Sequence, residues 1–452
     1  MNINSVVVRF LFTSISIFHF WSTSSVNAFT SSSSCIHHSS IVPWGSHSYK
    51  RISKPKLSFL FSTKSDNDCE NLGSKVLCVG ETLWDILPNG MFLGGAPTNV
   101  AIHLASLNTP VSIVSCINPN DDLGKSTLDI LTARGVKTDI IQSPPSTASF
   151  ETGKVIAKID TLSGDASYTF DTPSAWDYLR LGSSMMDKSY QKVFLEMFED
   201  ANAIVMGSIC ARLDPMDPFT TNLSENNEIT KDEIKTQNAT SASSLFWVRN
   251  NAKKDSLVFD VNLRPPWYTP ERVLKLALGE NDLEKKEKYS TNPLALLKVN
   301  EEELEILENW CDEILLKEDG LKVNNEDKPL FGDGLRKRME RLATLLNTNR
   351  ICVTRGDQGA ALWCTSHLDS SSSVFSENDG YTNPDKHEDS DTVGAGDAFL
   401  GALIRSLFIE KETPEVALQR SCALGSFVAG CQGAVPDHSD APSSLKGLFS
   451  FS

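Results

Sequence analysis

The chain has 452 residues, 40% hydrophobic and 22% charged, which is the composition of a folded protein long enough to bury a large core and excludes disorder throughout. Lys and Arg number 42 against 58 Asp and Glu, a formal charge of −16, and that balance argues against the clustered basic footprint that nucleic-acid binding needs. The 10 cysteines are scattered singly, with no C-x-x-C pair, so neither a disulfide framework nor a zinc cluster is indicated.

In chain order, the first 65 residues stand apart. They hold no Asp or Glu, and their positive charges are Arg9, Lys50, Arg51, Lys54, Lys56 and Lys64. Val6 to Phe20 is a broken apolar run followed by small residues up to Ala28, which reads as a signal peptide over 1–28, too short and polar to span a bilayer. Residues 29–65 are Ser-rich, basic and free of acid, as transit peptides are. Together they resemble the bipartite presequence of algae with secondary plastids, which implies a plastid destination; plain secretion is the alternative.

From Lys75 onward short apolar runs alternate with helical patterns. The runs are Val76 to Val79, Val111 to Ser115, Ile204 to Met206, Leu257 to Val261, Leu296 to Val299 and Ile351 to Thr354. Helical periodicity covers Thr98 to Leu107, Thr127 to Arg134, Glu301 to Glu308, Leu335 to Leu346, Ala398 to Phe408 and Pro414 to Ala429. Such alternation predicts an α/β fold, a three-layer αβα sandwich on a mainly parallel sheet. Two stretches, 82–93 and 149–170, alternate polar and apolar residues instead, which predicts half-buried strands in a small separate sheet suited to a lid. Residues 214–254, 318–333 and 366–389 are rich in Ser, Asn, Asp and Glu and are expected to be loop-like insertions. Cys352 and Cys364 fall on adjacent predicted strands and are expected to be buried thiols.

The chemistry concentrates in Asp391-Thr392-Val393-Gly394-Ala395-Gly396-Asp397, a Gly-rich turn running into an apolar helix. Such a turn aims backbone N–H groups and a helix dipole at an anion. Asp397 lies in the first helical turn, where the dipole is expected to keep it ionised at low pKa. Far upstream, Gly94-Gly95-Ala96-Pro97-Thr98-Asn99 and Asp85 offer an amide and a carboxylate for vicinal hydroxyls, with glycines permitting close approach.

These two elements resemble the C-terminal and N-terminal signatures of the PfkB-type (ribokinase-like) carbohydrate kinases, over about Lys75 to Ala434. The resemblance implies phosphoryl transfer from ATP to a sugar hydroxyl, with Asp397 as catalytic base beside the anion hole of Gly394, Ala395 and Gly396. It implies sugar contacts from Asp85, Gly94, Gly95 and Asn99, and from Arg264, which ends Asp260-Val261-Asn262-Leu263-Arg264. Asn300-Glu301-Glu302-Glu303 resembles the family's Asn-x-x-Glu element, which implies that Asn300 and Glu303 attend Mg2+ and phosphate, Glu303 through phosphate or water. Thr354-Arg355-Gly356-Asp357-Gln358-Gly359 resembles its nucleotide loop, so that Thr354, Gly356 and Gly359 face ATP. Asp391, Val393 and Gly433 match positions that hold a monovalent cation, expected to be K+. The implied partners are a small-molecule sugar and, through the lid, a second copy of the chain; no nucleic acid or membrane is expected of the mature form. Fructose is the first choice of sugar, with ribose, adenosine and ketodeoxygluconate as alternatives in the family and a non-catalytic fructokinase-like plastid subunit as the alternative of another class.

Overall fold

The computed structural model describes residues 74–451 apart from 88–89, 145–149, 160–165, 183–185, 213–240, 280–291, 316–333, 366–372, 386–389 and 391. The presequence, the insertion at 318–333 and Asp391 therefore lie outside the described residues.

The strands are β1 (Val76–Val79), β2 (Leu83–Leu87), β3 (Gly90–Gly94), β4 (Val111–Val114), β5 (Gly153–Ile159), β6 (Ala166–Phe170), β7 (Ala203–Gly207), β8 (Leu257–Asp260), β9 (Leu296–Asn300), β10 (Arg350–Thr354), β11 (Ala360–Thr365) and β12 (Ser373–Asn378). The main helices are α1 (Ala96–Ser106), α2 (Asp122–Ala133), α3 (Lys188–Asp200), α4 (Ser241–Asn251), α5 (Pro270–Leu278), α6 (Glu301–Trp310), α7 (Leu335–Leu345), α8 (Ala395–Ile404), α9 (Pro414–Val428) and α10 (Ser443–Phe449).

Eight strands form one sheet in the order β12-β11-β10-β9-β8-β7-β1-β4. Pairing is parallel from β10 to β4 and antiparallel from β10 through β11 to β12. The central strands are apolar on both faces because helices cover both. Leu77, Val79, Phe259 and Leu297 belong to one buried cluster, and Val76, Cys78, Val258 and Leu296 to the other. This is the expected layered sandwich.

The two alternating stretches build a second sheet of four strands, β3-β2-β5-β6. β2 pairs antiparallel with β3 and parallel with β5, aligning Asp85 with Phe92 and Val155. The lid is rooted on buried Trp176, since a Cβ at Gly153 would stand 2.6 Å from its indole.

Two insertions carry more structure than their composition indicates. Residues 241–251, inside the stretch expected to be a loop, form α4, with Leu245, Phe246 and Val248 buried. Two of the buried polar residues there are matched: Ser244 bridges Leu179 and Leu181, and Arg249 donates to the carbonyls of Ala277, Leu278 and Asn292. A polar residue with its hydrogen bonds satisfied is a legitimate core residue. Likewise residues 373–378 form the edge strand β12. Cys352 and Cys364 are buried free thiols whose pKa values burial pushes up, Cys364 to about 11.

Candidate active site

In an open parallel sheet, ligands gather outside the carboxyl ends of the strands. Here those ends are Gly80 after β1, Gly207 on β7, Asp260 on β8, Asn300 on β9 and Thr354 on β10, with Asp260 in register with Lys298 and Asn300 with Thr354.

The two signatures meet in one hydrogen bond. Asn99 lies in the first turns of α1 and Asp397 in the first turn of α8, 298 residues apart, and the Asn99 amide donates to Asp397 Oδ2 at 2.8 Å. The helix carrying Asp397 starts at Gly394, in the left-handed region at φ 76°, with no side-chain cap among the described residues. Its first N–H groups are thus left for an anion. Only glycine fits at 394, because a Cβ would meet Ala434 atoms at 2.5 to 2.6 Å.

Beneath the turn lies a residue that sequence reasoning missed. Lys298, on β9, is buried and pairs with Asp260 on β8 at 2.9 Å. Its ammonium would stand 3.6 Å from a Cβ at Gly396, so it lines the anion hole from below. Burial alone would lower its pKa, but Asp260 and Glu303 outweigh that and hold it charged. The signal was a lysine inside the apolar run Leu296–Val299, since a charge there is tolerated only when paired.

Asp397 departs from its expectation. Its pKa is not low but raised, to about 6: burial pushes it up, Asp260 adds like-charge repulsion, and the Asn99 amide, Lys298 and Arg264 pull it partly back. Desolvation and a neighbouring carboxylate outweigh the helix dipole. The result suits a general base better than a low pKa, since it remains mostly ionised at neutral pH.

Glu81 is a second residue given no role from sequence. It is buried, its Oε1 accepts from the N–H of Ala96 at 3.1 Å, and its carbonyl accepts from Thr98 Oγ1 at 3.1 Å. It thereby sets the start of α1 and the placement of Asn99. Burial, with repulsion from Asp397, drives it up to about 8.

The remaining sugar-site candidates fall around this centre. Gly95 packs on the Glu81 carbonyl at φ 100°, and Gly94 leaves room for the Asp85 carboxylate, which a Cβ would strike. Arg264 is exposed, donates to the Leu263 carbonyl, and acts electrostatically on both Glu81 and Asp397. Phe92 of the lid reaches over to Gly433, 3.6 Å from where a Cβ would sit.

Asn300 and Glu303, expected to attend Mg2+ and phosphate, are found at the start of α6. They form a capping box: Asn300 Oδ1 accepts from Glu303 N at 2.8 Å and Glu303 Oε2 from Asn300 N at 2.9 Å. The other carboxylate oxygen of Glu303 accepts from Leu263 N at 2.8 Å. Both oxygens are thus engaged with the backbone. The pair fixes the loop bearing Arg264, and an Asn at the N-cap is explained without a metal.

Thr354, Gly356 and Gly359 form the tight β10–β11 turn, closed by Arg355 N to Gly359 O at 2.8 Å, with Gly359 at φ 80° packed against residues 378–380. Of the monovalent-cation candidates, Val393 is exposed and Gly433 is left-handed at φ 79°; their neighbours Gly394 and Ala434 are in contact, so the two segments run side by side. No group of three or more metal-ligating side chains occurs among the described residues.

A mainly parallel αβα sandwich with a small β lid and a Gly-rich helix start fit a ribokinase-like sugar phosphotransferase. The pfkB family carbohydrate kinase profile matches residues 89–441, and the chain belongs to that family. Among solved structures, a fructokinase with bound ATP from Xylella fastidiosa is similar at 19% identity, covering 83% of this chain and 98% of that one, with a TM-score of 0.54. A ribokinase from Arabidopsis thaliana complexed with ribose and ATP is similar at 18% identity, covering 84% and 100%, with a TM-score of 0.51. No curated protein sequence matches the chain.

Proposed function

We propose that the chain phosphorylates fructose from ATP, giving fructose 6-phosphate, with Asp397 as base. The observation that carries the reading is the hydrogen bond from Asn99 to Asp397, which joins the sugar-side and phosphate-side signatures at one point. In this reading the sugar hydroxyl donates to Asp397, which aims its oxygen at phosphorus and takes its proton as the new bond forms. Asn99 fixes which carboxylate oxygen is presented. Phosphoryl transfer asks for positioning and charge stabilisation more than for early proton abstraction. The N–H groups at the start of α8 and the Lys298 ammonium, held in place by Asp260, supply that stabilisation. The lid strands carrying Asp85 and Phe92 exclude water, so that ATP is not spent on hydrolysis.

The donor set suits Mg2+ brought in with ATP, which prefers phosphate oxygens and water to a cage of protein side chains. Bound there, it would neutralise phosphate charge; Glu303 would act on it only through the loop it anchors. Fructose is favoured by Gly80-Glu81-Thr82-Leu83-Trp84-Asp85, by Asp260-Val261-Asn262-Leu263-Arg264 and by Asp391-Thr392-Val393, which read most like fructokinases. A coupled ADP-release assay across fructose, ribose, glucose, adenosine and ketodeoxygluconate tests it; a preference of kcat/KM for any sugar other than fructose overturns the choice, and no turnover with any of them overturns the kinase reading. The acid-free leader supports a plastid destination, tested by the location of a fluorescent fusion carrying residues 1–65.

A further inference from the structure

Asn99 and Asp397 form the first rung of a helix–helix contact, and the second rung lies one turn further along each helix. There His103 of α1 meets Gly401 of α8, where a Cβ would stand 3.1 Å from the His103 Cβ. His103 is fully buried. Its Nε2 is 2.9 Å from the carbonyl oxygen of Ala434, and its Nδ1 is 2.9 Å from Nε2 of His438.

The proton positions follow from the partners. A carbonyl only accepts, so Nε2 of His103 carries the hydrogen and donates it to Ala434. In the neutral ring Nδ1 then accepts, so Nε2 of His438 donates to it. Nδ1 of His438 is left bare, and it is buried without a partner, as the acceptor end of such a chain would be. Both rings are neutral: burial, then the neighbouring His438, drive His103 down to about 3, and burial drives His438 down to about 4 against the pull of Asp437.

The far end of this chain is the wall of the anion hole. Ala434 is the residue against which Gly394 packs. The next carbonyl, of Val435, is held by Arg134, the residue that ends α2, at 3.0 Å. An apolar side chain in place of His103 would fill the same space against Gly401. It would leave the Ala434 carbonyl and the His438 N–H unpaired in the interior.

We propose that His103 and His438 form a neutral hydrogen-bonded relay that positions Ala434, and through it sets the Gly394 turn at its working distance from Asn99. His103 is thus a positioning residue; the catalytic consequence rests on the kinase reading above. The helix that brings the sugar-side amide also clamps the phosphate-side turn, so both halves of the site move as one body.

The test compares His103→Phe and His103→Gln in the full chain, by hydrogen exchange and by kinetics. Phe keeps the ring and loses both hydrogen bonds; Gln restores a donor and an acceptor. In His103→Phe, amides in peptides 392–398 and 431–436 are expected to exchange about tenfold faster while those of β8 and β9 keep their protection. kcat falls about tenfold or more with KM for ATP and sugar within about twofold, since a slight misplacement of the turn acts on the reacting geometry. His103→Gln recovers both. Unchanged exchange in the two peptides, or faster exchange spread equally over β8 and β9, overturns the relay. If wild type phosphorylates no sugar, the kinase reading fails, and the exchange pattern alone decides the relay. Should His103→Phe not fold, His438→Phe, which removes only the second hydrogen bond, is expected to loosen the same two peptides to a smaller extent; no loosening overturns the proposal.

Discussion

Replacing Asn99 by leucine removes the amide that donates to Asp397 at 2.8 Å while roughly keeping the side-chain volume. A hydrogen bond to a charged group contributes about 1.5–3 kcal/mol, and each pKa unit corresponds to about 1.4 kcal/mol. The amide stabilises the ionised form, so its loss raises the Asp397 pKa from about 6 by about 1 to 2 units. At pH 7 a carboxylate of pKa 6 is roughly nine-tenths ionised, and one of pKa 7 is half ionised. Ionisation alone therefore costs about twofold to tenfold at pH 7. Any larger loss of kcat/KM reports the missing sugar contact and the misaimed carboxylate. The pH profile separates the two. Asp397 must be ionised to accept a proton, so activity rises with pH, and the acidic limb of kcat/KM is expected near pH 6 in wild type and about one unit or more higher in Asn99→Leu. Rate assays from pH 5 to 9 with a pH-independent coupling read it directly. An acidic limb that stays in place would refute the claim that Asn99 tunes the base, whatever happens to the plateau.

Asp397→Asn is expected to lower kcat by about 10²-fold or more with unchanged nucleotide affinity; it melts no lower than wild type, because it removes a buried charge that repels Asp260. Lys298→Met leaves the Asp260 carboxylate buried without its partner, at a cost of about 3–5 kcal/mol; calorimetry at pH 7 should show the melting temperature falling. A chain beginning at Asp66 should fold and turn over like the full chain, because the leader is an address segment; loss of soluble protein on truncation counts against that reading.

Much of the sheet was legible because its strands are apolar on both faces, and Val76–Val79 is found at its predicted limits. The lid was legible because its strands alternate. What escaped were polar residues whose hydrogen bonds are supplied from distant segments. The helix at Ser241–Asn251 is one case: its serines and Arg249 look like loop composition until the carbonyls of Ala277, Leu278 and Asn292 are in place. Lys298 is another, since its tolerance depends on Asp260 of the neighbouring strand. Asp397 was placed correctly at its helix start, but its pKa was not legible. A helix N-terminus is a local feature, whereas the burial and the Asp260 charge that override it come from tertiary structure.

Glu303 separates a motif's chemistry from its architecture. The spacing Asn-x-x-Glu satisfies two demands at once, a polar pair near a phosphate and a capping box, and sequence alone does not choose between them. In the structure both Glu303 oxygens accept backbone N–H groups, from Asn300 and from Leu263. The second of these anchors the loop on which Asn262 is left-handed at φ 42° and from which Arg264 faces the site. Glu303→Gln keeps one acceptor oxygen and sets an NH2 group against the other N–H, so it costs about 1 kcal/mol or more of stability and loosens the Arg264 loop. The expected signature is a lower melting temperature and a raised KM for the sugar, with the Mg2+ concentration for half-maximal rate within about twofold of wild type. A residue that orients a metal-bound water behaves otherwise, because losing such a partner weakens metal affinity by about 10–100-fold. A shift of that size in the Mg2+ titration, with melting temperature and sugar KM unchanged, would restore Glu303 to the metal and deny the cap its role.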